Sequence, residues 1–488
     1  MNRTHSRSLL LPVTLALIAA SQAFPLSAET VKTRLGPIKL ESGYPSHDSV
    51  AKLYDDLDFQ RACQAYVWAI PIVSFNELQI ANQRDWGIGF NTVGICNRYT
   101  DPSVEGLTAN NTTIYAAVFV DLSTDGPVVI DSPEGAYGVI DDYWQRPVVE
   151  VGPFGPDKGK GGKFLLVPAD YQGEPPAGCL IARSRTNKVM YLGRAFVKDG
   201  NIDAAVETLK KIAVYPLSQK DTPPPPKFIL SEGRPLHSIP PRGFAYWERV
   251  ASLINSEPVE DRDRFFHAFL KPLGIEKGKP FNPDARQKKI LTDAAETGFL
   301  MAQTISMAPR FEGVTVYPGT RWEYVLTLDP TQEAKTYSQL DERTDYTFEA
   351  ITIAAGMVKK IVGAGSQYLS SAKDKSGAWL DGGDTYKLTI PANPPVKEFW
   401  AVTVYDNLTR SMVQTDTRNA GRSSLDKLQA NADGSIDLWF GPKAPAGKES
   451  NWTKTLPGKG WFAYFRAYGP TEAFFDKTWK LPDIERVK

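Results

Sequence analysis

The strongest constraint on the fold is a pattern the chain states twice. Asp142-Tyr-Trp-Gln-Arg-Pro-Val-Val149 returns as Asp406-Asn-Leu-Thr-Arg-Ser-Met-Val413: an acid, an arginine four residues on, and a valine three beyond. All three positions are offset by 264 residues. Further echoes follow in the same order. Lys163-Phe-Leu-Leu-Val-Pro168 matches Asp437-Leu-Trp-Phe-Gly-Pro442, and Arg194-Ala-Phe196 matches Arg466-Ala-Tyr468. Two related β domains are the simplest source of such a series.

At 488 residues the chain exceeds one ordinary core and suits two domains with connecting elements. Its 56 basic and 56 acidic side chains cancel, which leaves no footprint for nucleic acid or an anionic membrane. Arg3, His5 and Arg7 precede an apolar run at 9–20 and small residues at Ala23 and Ala28. This reads as a secretory signal peptide over residues 1–28, cleaved after Ala23 or Ala28, and so as a periplasmic or secreted protein. No stretch after it is long and apolar enough for a membrane span. Of the cysteines, Cys63 sits at helical spacing with Tyr66 and Ile70 and suits a buried site, while Cys96 and Cys179 are free to pair in an oxidising compartment.

Residues 48–82 have helical periodicity, with Pro71 expected to kink or split the helix. From residue 91 the period becomes two, with strands expected at 113–122, 127–130, 137–140, 148–151, 164–167, 179–183 and 189–196. A helix fits 201–212. Asp221-Thr-Pro-Pro-Pro-Pro-Lys227 is a stiff connector. Helices then fit 243–255, 258–270, 283–307 and 342–362, and alternation resumes from Trp379. The expected layout is an N-terminal helix and β-sandwich domain (48–220), a Pro-rich connector (221–241), a helical middle (242–365) and a C-terminal β-sandwich domain (366–488). The fold class is mainly β with a helical middle (α+β). Two antiparallel β-sandwich domains, jelly-roll-like and open to a relation by duplication, are expected, and one mixed α+β body is the alternative.

Thr108-Ala-Asn-Asn-Thr-Thr-Ile-Tyr115, then Val120-Asp-Leu-Ser123 and the glycine-rich Gly155-Pro-Asp-Lys-Gly-Lys-Gly-Gly-Lys-Phe-Leu165, resemble the bacterial domain-of-unknown-function family 1254. Gly365-Ser-Gln-Tyr-Leu369, Thr409-Arg-Ser-Met412, Asn451-Trp452 and Arg466-Ala-Tyr-Gly-Pro470 resemble its companion family 1214. The resemblance spans nearly all of the chain after the signal peptide. It implies two jelly-roll-like β domains with helices around them, and it brings no reaction and no functional residue. Thr112 departs from the family pattern, in which Asp precedes the Thr, so no acid role is expected there.

The residues themselves offer several candidates. His47, His237 and His267 lack ligand spacing, so neither a metal nor a cofactor is expected. A Gly-x-Ser-x-Gly elbow is absent. Lys160, in the glycine-lysine loop, could meet an anion, though a solvated loop is the plainer reading. Asp142 with Arg146, and Asp406 with Arg410, could orient a ligand, but their repetition favours a structural device; Arg194 and Arg466 are read the same way. Asn110, Thr113 and Tyr115 open a strand and could fix a carbonyl or hydroxyl, with Tyr143 or Trp144 stacking on a ring. Asp345 and Glu349 share one helix face, where a solvated surface is the expectation.

Two functions follow from these candidates. One is a binding module for a small polar or envelope-derived ligand. The other is a cofactor-independent hydrolase or lyase, with Tyr115, Asp142 or Glu349 as acid or base and Asn110 or Arg146 holding an oxyanion. A homo-oligomer stays open.

Overall fold

The computed structural model describes residues 29–487, so the expected signal peptide lies outside the described residues. Residues 29–57 form one unit, with a three-stranded antiparallel sheet of Glu29–Thr33, Gly36–Glu41 and Tyr44–Pro45. Residues 58–487 belong to the second, which carries the sheets and the cavity described below.

Helix α1 (His47–Trp86) carries Pro71 in its interior without a break. Proline has no N–H, so the helical hydrogen bond to the Val67 carbonyl is lost, while the Pro71 carbonyl takes further donors. That carbonyl accepts from Gln145 Nε2 at 2.8 Å and Ser74 Oγ at 3.0 Å, and the helix around it is buried from Ala65 to Phe75. The helix continues through the proline, and the expected split does not occur.

The N-terminal half follows with eight strands: β1 (Ile114–Asp121), β2 (Val128–Pro133), β3 (Tyr137–Asp142), β4 (Pro147–Val151), β5 (Gly161–Pro168), β6 (Cys179–Ser184), β7 (Lys188–Ala195) and β8 (Ala213–Pro216). They lie in two sheets, ordered β1-β7-β3-β4 and β6-β5-β2-β8, and Val93–Ile95 and Phe228–Leu230 extend the first beyond β1. Val118, Ile140 and Val189 from one sheet and Ile130, Phe164 and Leu166 from the other share a single core.

Helices α2 (Phe244–Ser256), α3 (Ala285–Met307) and α4 (Leu340–Glu349) occupy the middle. An Asp284–Gln287 capping box starts α3. The last helix stops thirteen residues short of the expected end at 362. Beyond it the Thr352 N–H donates to Gln145 Oε1 at 3.0 Å and the Ile353 N–H to Asp141 Oδ2 at 3.3 Å. Side-chain acceptors from the N-terminal half thus take the amides that a longer helix would have used. Residues Glu342 to Glu349 are all buried, so the solvated helix face expected from the sequence is not there.

The C-terminal half repeats the strand plan: β9 (Ser366–Ser371), β10 (Thr385–Ile390), β11 (Val396–Asp406), β12 (Gly421–Ser423), β13 (Ile436–Gly441), β14 (Trp452–Lys454), β15 (Trp461–Pro470) and β16 (Glu485–Val487). Its sheets run β9-β15-β11-β12 and β14-β13-β10-β16, the order of the first half position by position. Orientation matches too. The β5–β6 and β13–β14 pairs are parallel, and the other pairs among these sixteen strands are antiparallel. Antiparallel pairing throughout, expected from the sequence for jelly-roll-like domains, therefore does not hold. Register matches as well: Asp142 pairs with Val189, and its echo Asp406 pairs with Trp461. The central strand β15 is buried along its whole length, and one core joins Leu388, Val402, Leu438 and Phe465 to the helices.

Candidate functional site

A cavity of about 540 Å³ lies where the two halves meet, with the middle segment closing part of its wall. From the N-terminal half, Asn110, Tyr115, Tyr137, Glu150, Leu192 and Arg194 line it; from the C-terminal half, Ser366, Tyr368, Glu398, Tyr464 and Arg466 do. Tyr346 comes from α4, Ile351 and Thr352 from the segment just beyond it, and Ser74, Leu78 and Trp86 from α1.

Sheet register explains the convergence. On β7, Arg194 stands across from Tyr115 on one side and Tyr137 on the other. On β15, Arg466 stands across from Tyr368. Directly paired residues share one face of a sheet, so each arginine arrives beside a tyrosine. A bridge links the halves: Asn110 Nδ2 donates to the Tyr468 hydroxyl at 2.6 Å and lies 3.2 Å from the Tyr115 hydroxyl. Asn110 Oδ1 accepts from Thr112 N at 2.9 Å and Thr112 Oγ1 at 2.7 Å, which fixes the amide's orientation.

Arg466 is 4% exposed, and its Nη2 donates to the Thr108 carbonyl at 2.9 Å. The rings of Tyr464, Tyr368 and Tyr405 surround its guanidinium at 5.0–5.5 Å. Behind Tyr464 lies Glu349, buried and hydrogen-bonded to the Tyr464 hydroxyl and, at 3.2 Å, to Ser306 Oγ. Burial pushes the Glu349 carboxyl up to about 8, so near neutral pH it holds its proton. Burial, and then the charge of Glu349, hold the Tyr464 phenol well above its ordinary range.

The other sequence candidates lie elsewhere. Asp142 ends β3 in a tight turn whose third residue, Gln145, has φ +61°. Its Oδ1 accepts from Trp144 N at 2.9 Å and Arg146 N at 3.1 Å, while Oδ2 accepts from Arg146 Nε at 2.7 Å. Glu260 takes both terminal nitrogens of Arg146, at 2.9 and 2.5 Å. Burial works to lower the Arg146 pKa, and the two carboxylates outweigh it and hold the charge in place. Asp142, Tyr143, Trp144 and Arg146 are all buried and do not line the cavity. Trp144 packs on Trp68 with ring centres 4.7 Å apart. Thr113 is buried with its hydroxyl unpartnered, and Lys160 is exposed in the loop between β4 and β5. Asp406 repeats the turn, its Oδ1 accepting from Leu408 N at 2.8 Å and Thr409 N at 2.9 Å. Arg410 does not repeat the ion pair: its Nε donates to the Phe348 carbonyl at 3.1 Å.

The structure therefore brings Asn110, Tyr115 and, one shell back, Glu349 to one place and leaves Asp142 and Arg146 in the core. Sequence reasoning passed over Arg194 and Arg466 because it took repetition as a sign of structure. Their shared Arg-Ala-aromatic setting on paired strands was the available signal. Cys63, Cys96 and Cys179 are all free thiols, so the Cys96–Cys179 bridge left open by the sequence is not formed. Among the described residues, three or more His, Cys, Asp or Glu side chains are nowhere grouped as metal ligands, and no helix is long and apolar enough to cross a membrane.

Fold and site together define an α+β protein whose two halves, each containing the same eight-strand plan, share one cavity. The chain carries both domains that its motifs resemble: residues 90–216 match the family described as protein of unknown function (DUF1254), and residues 365–472 match protein of unknown function (DUF1214). Among solved structures it is similar to the VPA0106 protein from Vibrio parahaemolyticus, at 22% identity and a TM-score of 0.52, over 88% of this chain and 100% of that one. That likeness speaks to the fold alone. An uncharacterized protein from Burkholderia cenocepacia aligns over 90% of this chain and 97% of its own at 12% identity and a TM-score of 0.35, from which nothing follows for the fold. No curated protein matches the chain.

Proposed function

We propose that this is an exported binding protein that holds a small molecule in the cavity between its two β halves. The observation that carries the reading is the cavity itself. Its volume is in the range that encloses small ligands, its walls are largely apolar, and a few fixed polar groups converge on it, led by Asn110 with its two tyrosine partners. The basic, apolar and small-residue succession before Ala28 supports export. Matching strand order, orientation and register in the two halves support a relation by duplication.

Native mass spectrometry on the protein purified from its own host tests the reading. A bound small molecule is expected, and Leu192→Trp, which fills part of the cavity, is expected to lose it while remaining folded. A ligand-free spectrum from gentle purification, or an undiminished ligand in Leu192→Trp, counts against it.

One observation favours a second reading, a cofactor-independent hydrolase or lyase. The Glu349 carboxyl sits near 8 and is bonded to the Tyr464 hydroxyl, which reaches the cavity wall. A proton-transfer pair of that kind suits acid–base chemistry at neutral pH. Conversion of the retained molecule by the wild type, abolished in Glu349→Gln with retention intact, is the expected signature; no conversion by the wild type removes this reading.

A further inference from the structure

Arg194 and Arg466 bring positive charge into the cavity, and neither has a carboxylate within ion-pair distance among the described residues. Arg466 keeps an unpartnered donor, Nη1, although its side chain is almost wholly buried. A guanidinium presents five N–H donors in a plane, and leaving one unmet in a buried setting is costly. Tyr368 and Tyr468 lie within electrostatic reach of both arginines, which places the two cations in one neighbourhood.

The remaining charges do not cancel them. Glu150 also lines the cavity and lies within electrostatic reach of Arg194, but it is one acid against two guanidinium groups, its carboxylate accepts the Ala355 N–H at 2.5 Å, and burial raises its pKa. Lys198 and Glu398 are exposed and opposite in sign. The surrounding wall, with Leu78, Val139, Leu192, Ile351 and Met357, is apolar. Surplus positive charge on an otherwise oily wall suits a molecule with one charged end.

We propose that the cavity takes an anionic amphiphile, an oxyanion headgroup on an apolar tail, with the head held by Arg194 and Arg466. This deepens the binding reading above and rests on it. Carboxylate and phosphate-ester heads share the chemistry, because either accepts paired N–H bonds from a guanidinium.

Isothermal titration of the purified protein with four ten-carbon probes, each kept monomeric, provides the test: decanoate, decyl phosphate, decanol and decyltrimethylammonium. At least one anionic probe is expected to bind about 10-fold or more tighter than decanol, in line with a charge-assisted hydrogen bond. The cation is expected to bind weakest. Arg466→Gln, which removes the guanidinium charge, is expected to lower anion affinity about 10-fold and leave decanol unchanged. If that variant proves unstable by its thermal melt, Arg194→Gln gives the same comparison. Decanol binding as tightly as both anions, or anion affinity unchanged in the folded variants, overturns the assignment of the head while leaving the cavity reading intact. No binding by any of the four, together with a ligand-free native spectrum, defeats both. The tighter of decanoate and decyl phosphate identifies the head.

Discussion

Arg194 and Arg466 hold the same place in the two halves. Each lies five residues beyond the partner of a turn-forming aspartate, Val189 opposite Asp142 and Trp461 opposite Asp406, and both reach one cavity. The aspartates they are registered against stay in their own turns. A shared strand plan therefore serves two ends: the Asp turns shape each half, and the arginines meet between them.

The turn at Asp142 should prove structural. Arg146→Ala leaves the Asp142 carboxylate buried without its cation, and losing one partner of a buried ion pair costs about 3–5 kcal/mol. Urea unfolding is expected to show a loss of that size, with ligand retention preserved in the protein that remains folded. A loss below about 1 kcal/mol, the range of exposed pairs, would contradict this placement.

Gln145 joins three segments through one amide. Its Nε2 donates to the Pro71 carbonyl and Ser74 Oγ, both at 2.8 Å, and its Oε1 accepts from Thr352 N. Gln145→Ala strands buried polar groups on α1 and beyond α4, and a destabilisation of about 1–3 kcal/mol is expected. Hydrogen exchange should quicken at the Thr352 amide; unchanged protection there argues against the link.

Stability should fall as pH rises through neutrality. Glu349 has a folded pKa near 8 against an ordinary value of 4.5, so between those values the folded state keeps a proton that the unfolded state has released. Its stabilising effect is complete below 4.5 and is lost as pH rises to 8, with a slope of at most about 1.4 kcal/mol per pH unit for one proton. Glu323, pushed up to about 7 by burial, shares part of the window. Glu349→Gln is expected to flatten the decline in melting temperature between pH 5 and 8. An identical pH profile in that variant refutes the assignment.

Reductant should leave the protein's stability unchanged. With Cys63, Cys96 and Cys179 all free, thiol titration of the unfolded chain is expected to find three groups with or without prior reduction. Burial pushes Cys63 up to about 11 and Cys96 up to about 12, so both should react slowly in the folded state. One titratable thiol instead of three, before reduction, would reveal a bridge.

Strands and turns were legible because their signals are local. Period-two alternation located all but the last of the eight N-terminal strands but only four of the C-terminal half, missing short strands such as Gly421–Ser423 and Trp452–Lys454, and Asp-x-x-x-Arg marked the two equivalent turns. Parallel pairing of β5 with β6 and of β13 with β14 was not, because pairing direction depends on how distant strands dock, and alternation is the same either way. The end of α4 was missed for a related reason: its continuation is helical in pattern, and what stops it is a pair of acceptors, Gln145 and Asp141, about two hundred residues away in sequence.

By itself the sequence determined the repeated strand plan, the helical middle and the two domains the chain resembles. All of these are written in spacing, turn residues and short motifs, which act on their own neighbourhood. Tertiary structure alone decided which of the two repeated arginine positions would be spent internally. Arg146 met Asp142 and Glu260 in the core, while Arg194 and Arg466 were carried by sheet register to a cavity wall where, among the described residues, neither has a carboxylate within ion-pair distance. A guanidinium's role is set by what lies within hydrogen-bond reach, and that distance exists only once the halves have packed.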